Sequence, residues 1–573
     1  MRIKHFFGLA VIAAMTASCS SNNDLVNGGN GSGENESGVS YASFSINLPT
    51  TSGTRADGTP SGSPSFDNGD KNEYAVKDAT LLLFKKDATT GKFIFQEYVD
   101  LGNMEPWTSS STSGITTTAK LTAKITKAEA GANKGYYALI VLNNNSETAP
   151  KITYPTEGQT YADWSKKADN ATADNYLKYD NGFFMANAPK YVADNTPETL
   201  VEIKNIYASK QEAENSTATT VYVERGLAKV SLASTSSEHV DISGGNYDGD
   251  KVDITGWTLD VTNKKTFPVH VTDELWKDIW KTAVTPAATN NAKMDRFHDT
   301  KLTEFPRVYW GADPNYKTNF ASVADCEGEF TMATKANFKT GEDAKKAQYC
   351  LENTFDIDHM VQGQTTRVLF SATYTPNGFN AGDTFYKMGN SSQLWNATKV
   401  EAQIKAKAME VLNETDANKV EVILTGTDLA KAGIHLITKA NVKHGTAEIS
   451  DADITAINTK LGFKAASGTD PMVGLSTFES GVSYYVARVK HFNELTPWNA
   501  GDKTYDSNNA NWLGRYGVLR NNWYELSVNS VSGPGYPDVP KVKPTDPDDE
   551  NDQYINVSVK ILSWAKRTQK VDL

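Results

Sequence analysis

Three cysteines, eight histidines and one isolated loop arginine are the residues on which chemistry could turn in this chain, and their spacing narrows what that chemistry is. Cys19 closes an opening stretch in which Arg2 and Lys4 precede the apolar run Phe6–Ala14, with Thr16, Ala17 and Ser18 leading into the thiol. Roughly 12 apolar residues are too few to cross a ~30 Å hydrocarbon layer as a helix, so residues 1–18 read as a secretory signal. A cysteine directly after small residues at the end of such a signal resembles a bacterial lipobox, which implies cleavage between Ser18 and Cys19 and acylation of the Cys19 sulfur. Arg55 is the only basic residue between Cys19 and Lys71, in a Gly, Ser and Thr rich segment open to a protease. Cys326 and Cys350 lie beyond the signal, outside a reducing cytosol; a disulfide between them is open on compartment grounds, worth up to about 3 kcal/mol where geometry permits. The histidines are dispersed, and no GxSxG, HExxH or phosphate-cradling glycine loop occurs. The pair Asp356 and Asp358 is of a kind common in strand-end turns, and "NYDGDKVD" (246–253) lacks the spaced ligands and closing Glu of a calcium loop. No catalytic residue, metal ligand set or cofactor is expected.

The elements that must position Cys19, Arg55 and the chain ends are mainly strands. The 573 residues are 39% hydrophobic and 22% charged, enough for at least two packed domains. The net charge of −12 and the lack of any Lys/Arg run argue against nucleic acid as a partner. Period-two alternation recurs at Tyr41–Leu48, Asp78–Lys86, Lys92–Leu101, Thr118–Ile125 and Gly135–Asn143, and again in "TVYVERGLAKVSLAS", "ITGWTLDVTN", "TTRVLFSATYTP", "VSYYVARVKHF" and "NWYELSVNSV", which predicts sandwich-like domains. Helical spacing is confined to Thr272–Ala283, Gln393–Leu412 and Asp451–Leu461, inserts of the second domain. The reading divides the chain into a signal (1–18), a tether (19–38), a propeptide (39–55), a first domain (56–235), a second domain (236–535), a Pro/Asp linker (536–552) and a terminal strand (553–573).

The last two of these carry the most information. Ser532–Asp552 contains five prolines and a cluster of acids, and reads as a semi-rigid spacer on the order of 60 Å when extended. Beyond it Ile555, Val557, Val559 and Ile561 alternate with Asn556, Ser558 and Lys560. A strand at a chain end with four apolar side chains on one face needs a sheet edge to receive it; burying them contributes roughly 6 to 12 kcal/mol. It reads as a donor strand, inserted into its own body or into a neighbour.

Together these features resemble the stalk fimbrillins of Bacteroidia-type (type V) pili, in the Mfa-like branch of short fimbriae. The resemblance rests on Cys19, on "INLP" followed by "TRADG", on "YVERGLAKVSL", on "LENTFDIDH" with "TTRVLFSATY", on "GVLRNNWYELSVNSVSGPGYP", on the Asp/Pro linker and on "INVSVKILSW". It implies a mainly β fold of two β-sandwich-like (transthyretin-like) domains, an outer-membrane lipoprotein precursor, and a cut between Arg55 and Ala56 by an Arg-specific extracellular protease. It further implies that a leaving strand with Tyr41, Phe44, Ile46 and Leu48 then departs. The vacated groove would take the donor strand of the next subunit, with Ile555, Val557, Val559, Ile561 and Trp564, giving a homopolymer at the cell surface joined to anchor and tip fimbrial proteins and serving adhesion and biofilm formation. Two other readings stand beside it. An anchor or accessory lipoprotein would keep its first strand, and a glycan-binding lipoprotein would use aromatic platforms, although Trp107, Trp164, Trp257, Trp310, Trp498 and Trp512 show no repeated spacing.

Overall fold

The computed structural model describes residues 38–49, 71–102, 104, 108–109, 115–192, 196–233, 238–272, 307–316, 320–355, 359–467, 470–491, 514–548 and 555–563. The chain is mainly β, as its alternation predicts, with several sheets. Its first strand, β1 (Ser40–Pro49), lies inside a nine-stranded sheet. On one side it runs antiparallel to β2 (Ile115–Ile125), in register from Ser40 opposite Ile125 to Leu48 opposite Thr117. On the other it runs parallel to β3 (Thr219–Arg225), from Phe44 opposite Thr219 to Asn47 opposite Tyr222. Beyond β3 the sheet continues through Met185–Asn187, Tyr136–Leu142, Ala79–Lys86 and Phe93–Gly102. The near-continuous apolar runs "TLLLF" and "ALIVL" fit strands buried on both faces.

The chain leaves this sheet at Gly226. β3 ends at Arg225 and β4 (Leu227–Leu232) begins a second sheet, ordered Gln348–Leu351, β4, β5 (Asn522–Val531) and β6 (Ile555–Ser563). A five-stranded sheet of His239–Asp241, Lys251–Asp260, Lys339–Thr340, Arg367–Thr375 and Val482–Arg488 faces it. Ala228, Val230, Tyr524 and Leu526 share one core with Trp257, Phe370 and Tyr485, so the two sheets form a sandwich. The run "YVERGLAKVSL", one strand by alternation, is therefore two strands in two sheets. Gly226 is required there by close approach: a Cβ at this position would stand 2.3 Å from the hydroxyl of buried Tyr176. Gly226→Ala is expected to cost about 1–3 kcal/mol through overpacking, read as a lower urea midpoint with an unchanged m-value.

Residues 376–481, between two neighbouring strands of the five-stranded sheet, build a unit with its own core. Two helices belong to this unit: after α1 (Lys210–Asn215) come α2 (Ala397–Leu412) and α3 (Asp451–Lys460), which pack against each other. The spacing of buried Val400, Ile404 and Ala408 makes one face of α2, and the Asn396 side chain caps it by accepting from Lys399 N. Both of these helices lie where periodicity predicts them. The third predicted helix, over Thr272–Ala283, falls almost wholly outside the described residues.

Candidate functional site

β1 fills a slot. Ala42, Phe44, Ile46 and Leu48 are completely buried and point into the first core, while Tyr41, Ser43, Ser45 and Asn47 face the other way. That second face is covered as well. The segment from Tyr207 to Ser216, which leads into β3, crosses over it as a strap. Tyr41 and Tyr207 exchange two backbone hydrogen bonds of 2.8 Å. Ser43 Oγ donates to the carbonyl of Ala213 in α1 at 2.7 Å and lies 2.8 Å from Thr122 Oγ1 of β2. Thr118 Oγ1 donates to Asn47 Oδ1 at 2.7 Å, and Lys120 Nζ holds the strap by donating to the Glu214 carbonyl at 2.7 Å. Ser209 caps α1 by accepting from Glu212 N, and Ala213 is the residue the helix buries against the sheet. Of the sequence-predicted leaving-strand residues, Phe44, Ile46 and Leu48 are thus core and Tyr41 is a rim residue under the strap.

The far end of the chain stands on the second domain. The backbone of β6 pairs antiparallel with β5, from Asn522 opposite Ser563 to Val531 opposite Ile555, and is the last strand of its sheet. Ile555, Val557, Val559 and Ile561 fall within this ladder. Trp564 lies outside the described residues, as do Ser18, Cys19, Arg55 and Ala56. The Pro/Asp segment, expected as an extended spacer, is instead laid along the second domain. Tyr536 exchanges backbone hydrogen bonds with Tyr484, Arg367 donates to the Pro540 carbonyl at 2.6 Å, and Arg488 Nε donates to the Asp548 carbonyl at 2.7 Å. Proline lacks an N–H but keeps its carbonyl, so side-chain donors can pin a segment that cannot join a ladder.

Between the two ends lies a set of buried charges at the junction around Gly226. Glu224 accepts from Arg307 at 2.6 Å and pairs with His270 Nδ1 at 2.7 Å; Glu352 pairs with Arg520 at 3.2 Å and stands 3.5 Å from His270 Nε2. All five side chains are buried. Burial works to raise the Glu224 carboxyl, and the His270 ring and the Arg307 guanidinium outweigh it, bringing it down to about 2. On the other flank, Arg225 Nε donates to the Glu73 carbonyl at 2.5 Å and Lys229 Nζ meets Glu73 Oε1 at 2.6 Å. Sequence reasoning missed these residues; the one available signal was a glycine inside a strand flanked by charges.

The disulfide open to Cys326 and Cys350 is not formed. Both are free buried thiols in separate core clusters, each pushed up by burial, to about 11 and about 12 respectively. Trp164, Trp257 and Trp310 are core residues whose indole N–H groups donate to the carbonyls of Thr153, Ala344 and Phe355. They offer no platform to a sugar. Trp107, Trp498, Trp512, Asp356 and Asp358 lie outside the described residues. Asp250, in the calcium-loop-like stretch, accepts from Tyr374 and from Asn377 N, as a turn carboxylate does. No group of metal-ligating side chains occurs among the described residues, and no described helix is long and apolar enough to cross a membrane.

Residues 476–570 match the family model "Major fimbrial subunit protein type IV, Fimbrillin, C-terminal". This bears out the resemblance to the fimbrillins over the segment containing β5, the Pro/Asp segment and β6. No curated protein matches the chain in sequence. Among solved structures, a candidate cell adhesion protein from Parabacteroides distasonis is similar at 11% identity and TM-score 0.36, with 93% of this chain and 99% of that one covered. A fimbrilin from Porphyromonas gingivalis is similar at 12% identity and TM-score 0.35, with 92% and 99% covered. A fimbrial assembly protein from P. distasonis is similar at 12% identity and TM-score 0.23, with 60% and 86% covered.

Proposed function

We propose that this chain is a non-enzymatic structural subunit of a cell-surface fimbria, exported as a lipoprotein acylated at Cys19, cut between Arg55 and Ala56, and polymerised by strand exchange. One observation carries the reading: β1 occupies a slot between β2 and β3, closed on both faces, and its link to the rest of the domain runs through the segment that holds Arg55. While β1 is in place, its backbone satisfies both walls and nothing can add to them. A cut at Arg55 turns a tethered strand into a bound peptide that dilution removes, and the two open walls then form a template for an incoming strand. β6 is a suitable occupant. In the uncut chain it has one neighbouring strand, β5; in the slot it would have two. Exchange therefore trades one ladder for two, and the slot receives alternate apolar side chains in the places of Ala42, Phe44, Ile46 and Leu48.

A slot at one end and a donor at the other make a heterologous contact that does not close, which yields a filament. The acylated segment leaves with β1, so the lipid serves export and not the finished fibre. Sequencing the N-terminus of surface-extracted protein tests this directly. A start at Ala56 supports the stalk reading, whereas a retained acylated Cys19 moves the chain to an anchor or accessory role. Arg55→Ala is expected to remove the high-mass ladders that Arg-specific protease treatment of the intact precursor produces; ladders of unchanged intensity would place the cut elsewhere.

A further inference from the structure

The slot has a polar wall as well as an apolar one, and α1 of the strap bears on that wall at Ser43. Ser43 sits where α1 presses closest: it is 4% exposed, its hydroxyl donates to the Ala213 carbonyl, and Thr122 Oγ1 is in hydrogen-bond reach. Ala213, directly above, is completely buried. A side chain longer than that of serine would have to lift the strap, and an apolar one would leave the Ala213 carbonyl and the half-buried Thr122 hydroxyl without this partner. Ser45, two residues on, is only half-buried, and Asn47 beyond it is buried but holds a longer side chain that accepts from Thr118, so the niche closest to serine size is the one at Ser43.

We propose that this niche is the register key of subunit assembly: it takes the hydroxyl of Ser558 from the C-terminal strand of a second copy of this chain, and thereby fixes which residues of that strand enter the apolar slot. The inference rests on the strand-exchange reading above. The face of the terminal strand opposite its four apolar residues offers Asn556, Ser558, Lys560 and Leu562. Ser558 is the only one of serine size, and a hydroxyl both donates to a carbonyl and accepts from Thr122. The assignment does not depend on strand direction. With Ser558 where Ser43 was, Val557 and Val559 take the two flanking inward positions, those of Ala42 and Phe44, whichever way the strand runs. A slip of one residue would put the apolar face toward the strap, and a slip of two would place Asn556 or Lys560 in the niche.

The test uses the intact chain, cut with an Arg-specific protease, and variants of its own terminal strand. Ser558→Lys is expected to lower high-mass ladders at least tenfold while cleavage and loss of the N-terminal segment proceed as before; Ser558→Ala, which keeps the size and loses the hydroxyl, costs a few-fold. Lys560→Ala and Asn556→Lys retain ladders within about twofold. Synthetic peptides of residues 552–573 added to the cut protein give the same ranking by intact mass, free of any folding defect in the S558K chain. S558K ladders and peptide binding equal to those of the unsubstituted chain overturn the key while leaving strand exchange standing. Equal losses from N556K and S558K overturn it too, because the strand then has no preferred register. If the unsubstituted chain is cut and neither forms ladders nor binds its own peptide, strand exchange fails and the key fails with it.

Discussion

Val557→Asp combined with Val559→Asp is expected to abolish high-mass ladders while leaving a precursor that is folded and cut normally. The asymmetry follows from where the strand stands before and after exchange. In the uncut chain β6 is the outermost strand of its sheet, and its backbone pairs along one edge, with β5. In the slot the same two positions would replace core residues of the kind of Ala42 and Phe44, which are completely enclosed. A carboxylate taken into such a place without a partner costs several kcal/mol, or remains neutral at a similar cost in proton uptake. A combined loss of about 3 kcal/mol already lowers slot occupancy about a hundredfold, and in a chain polymer every junction pays it. Native mass or gel ladders after proteolysis measure the outcome, with circular dichroism of the uncut precursor as control. Ladders persisting at full length would mean that some segment other than residues 554–573 fills the vacated slot.

What could be read from the residues alone was what is local or periodic. Alternation placed the strands β1 and β6, and helical spacing placed α2, where Val400, Ile404 and Ala408 form one buried face as Phe44, Ile46 and Leu48 do in β1. Pairing partners were not legible. That β1 lies parallel to residues 219–222 and antiparallel to residues 115–125 is decided by packing across long loops, which no window of sequence contains. The strap escaped for a related reason: α1 is too short to show amphipathic spacing, and its cover of Ser43 depends on one alanine. Cys326 and Cys350 illustrate the limit of compartment arguments. An oxidising setting permits a bridge, but only approach of the two Cβ atoms makes one, and these thiols serve different cores. Glu224, Arg225 and His270 would each pass as solvated in a sequence, since nothing local says that two domains close over them.

Glu224→Ala is expected to destabilise the uncut protein by about 3–5 kcal/mol, the range for removing one partner of a buried ion pair. Glu224 balances Arg307 and His270 at once, so its loss strands a buried guanidinium and a buried ring beside Arg520, with Glu352 the nearest remaining carboxylate. The effect has a pH signature with a definite sign. A carboxyl held at about 2 in the folded state, below the ordinary glutamate value of 4.5, contributes stability above its unfolded value and loses it as the pH falls. The deficit of E224A is therefore full at neutral pH and narrows from below about pH 4.5 toward pH 2, as urea unfolding across that range will show. A deficit independent of pH would mean that Glu224 acts by volume and not by charge. The position of this residue gives the measurement its functional weight. β3 forms one wall of the slot, passes through Glu224, Arg225 and Gly226 into β4, and β4 is laddered to β5, from which the tail departs. Tension between successive subunits would enter at the slot and leave at the tail, so it must cross this junction. A buried, mutually compensated charge cluster resists it because opening the joint by even a small distance leaves ions unpaired in an apolar interior. The E224A chain should accordingly form fibres that are cut and assembled normally but yield at lower force, with rupture at the domain junction and not at the strand-exchange contact.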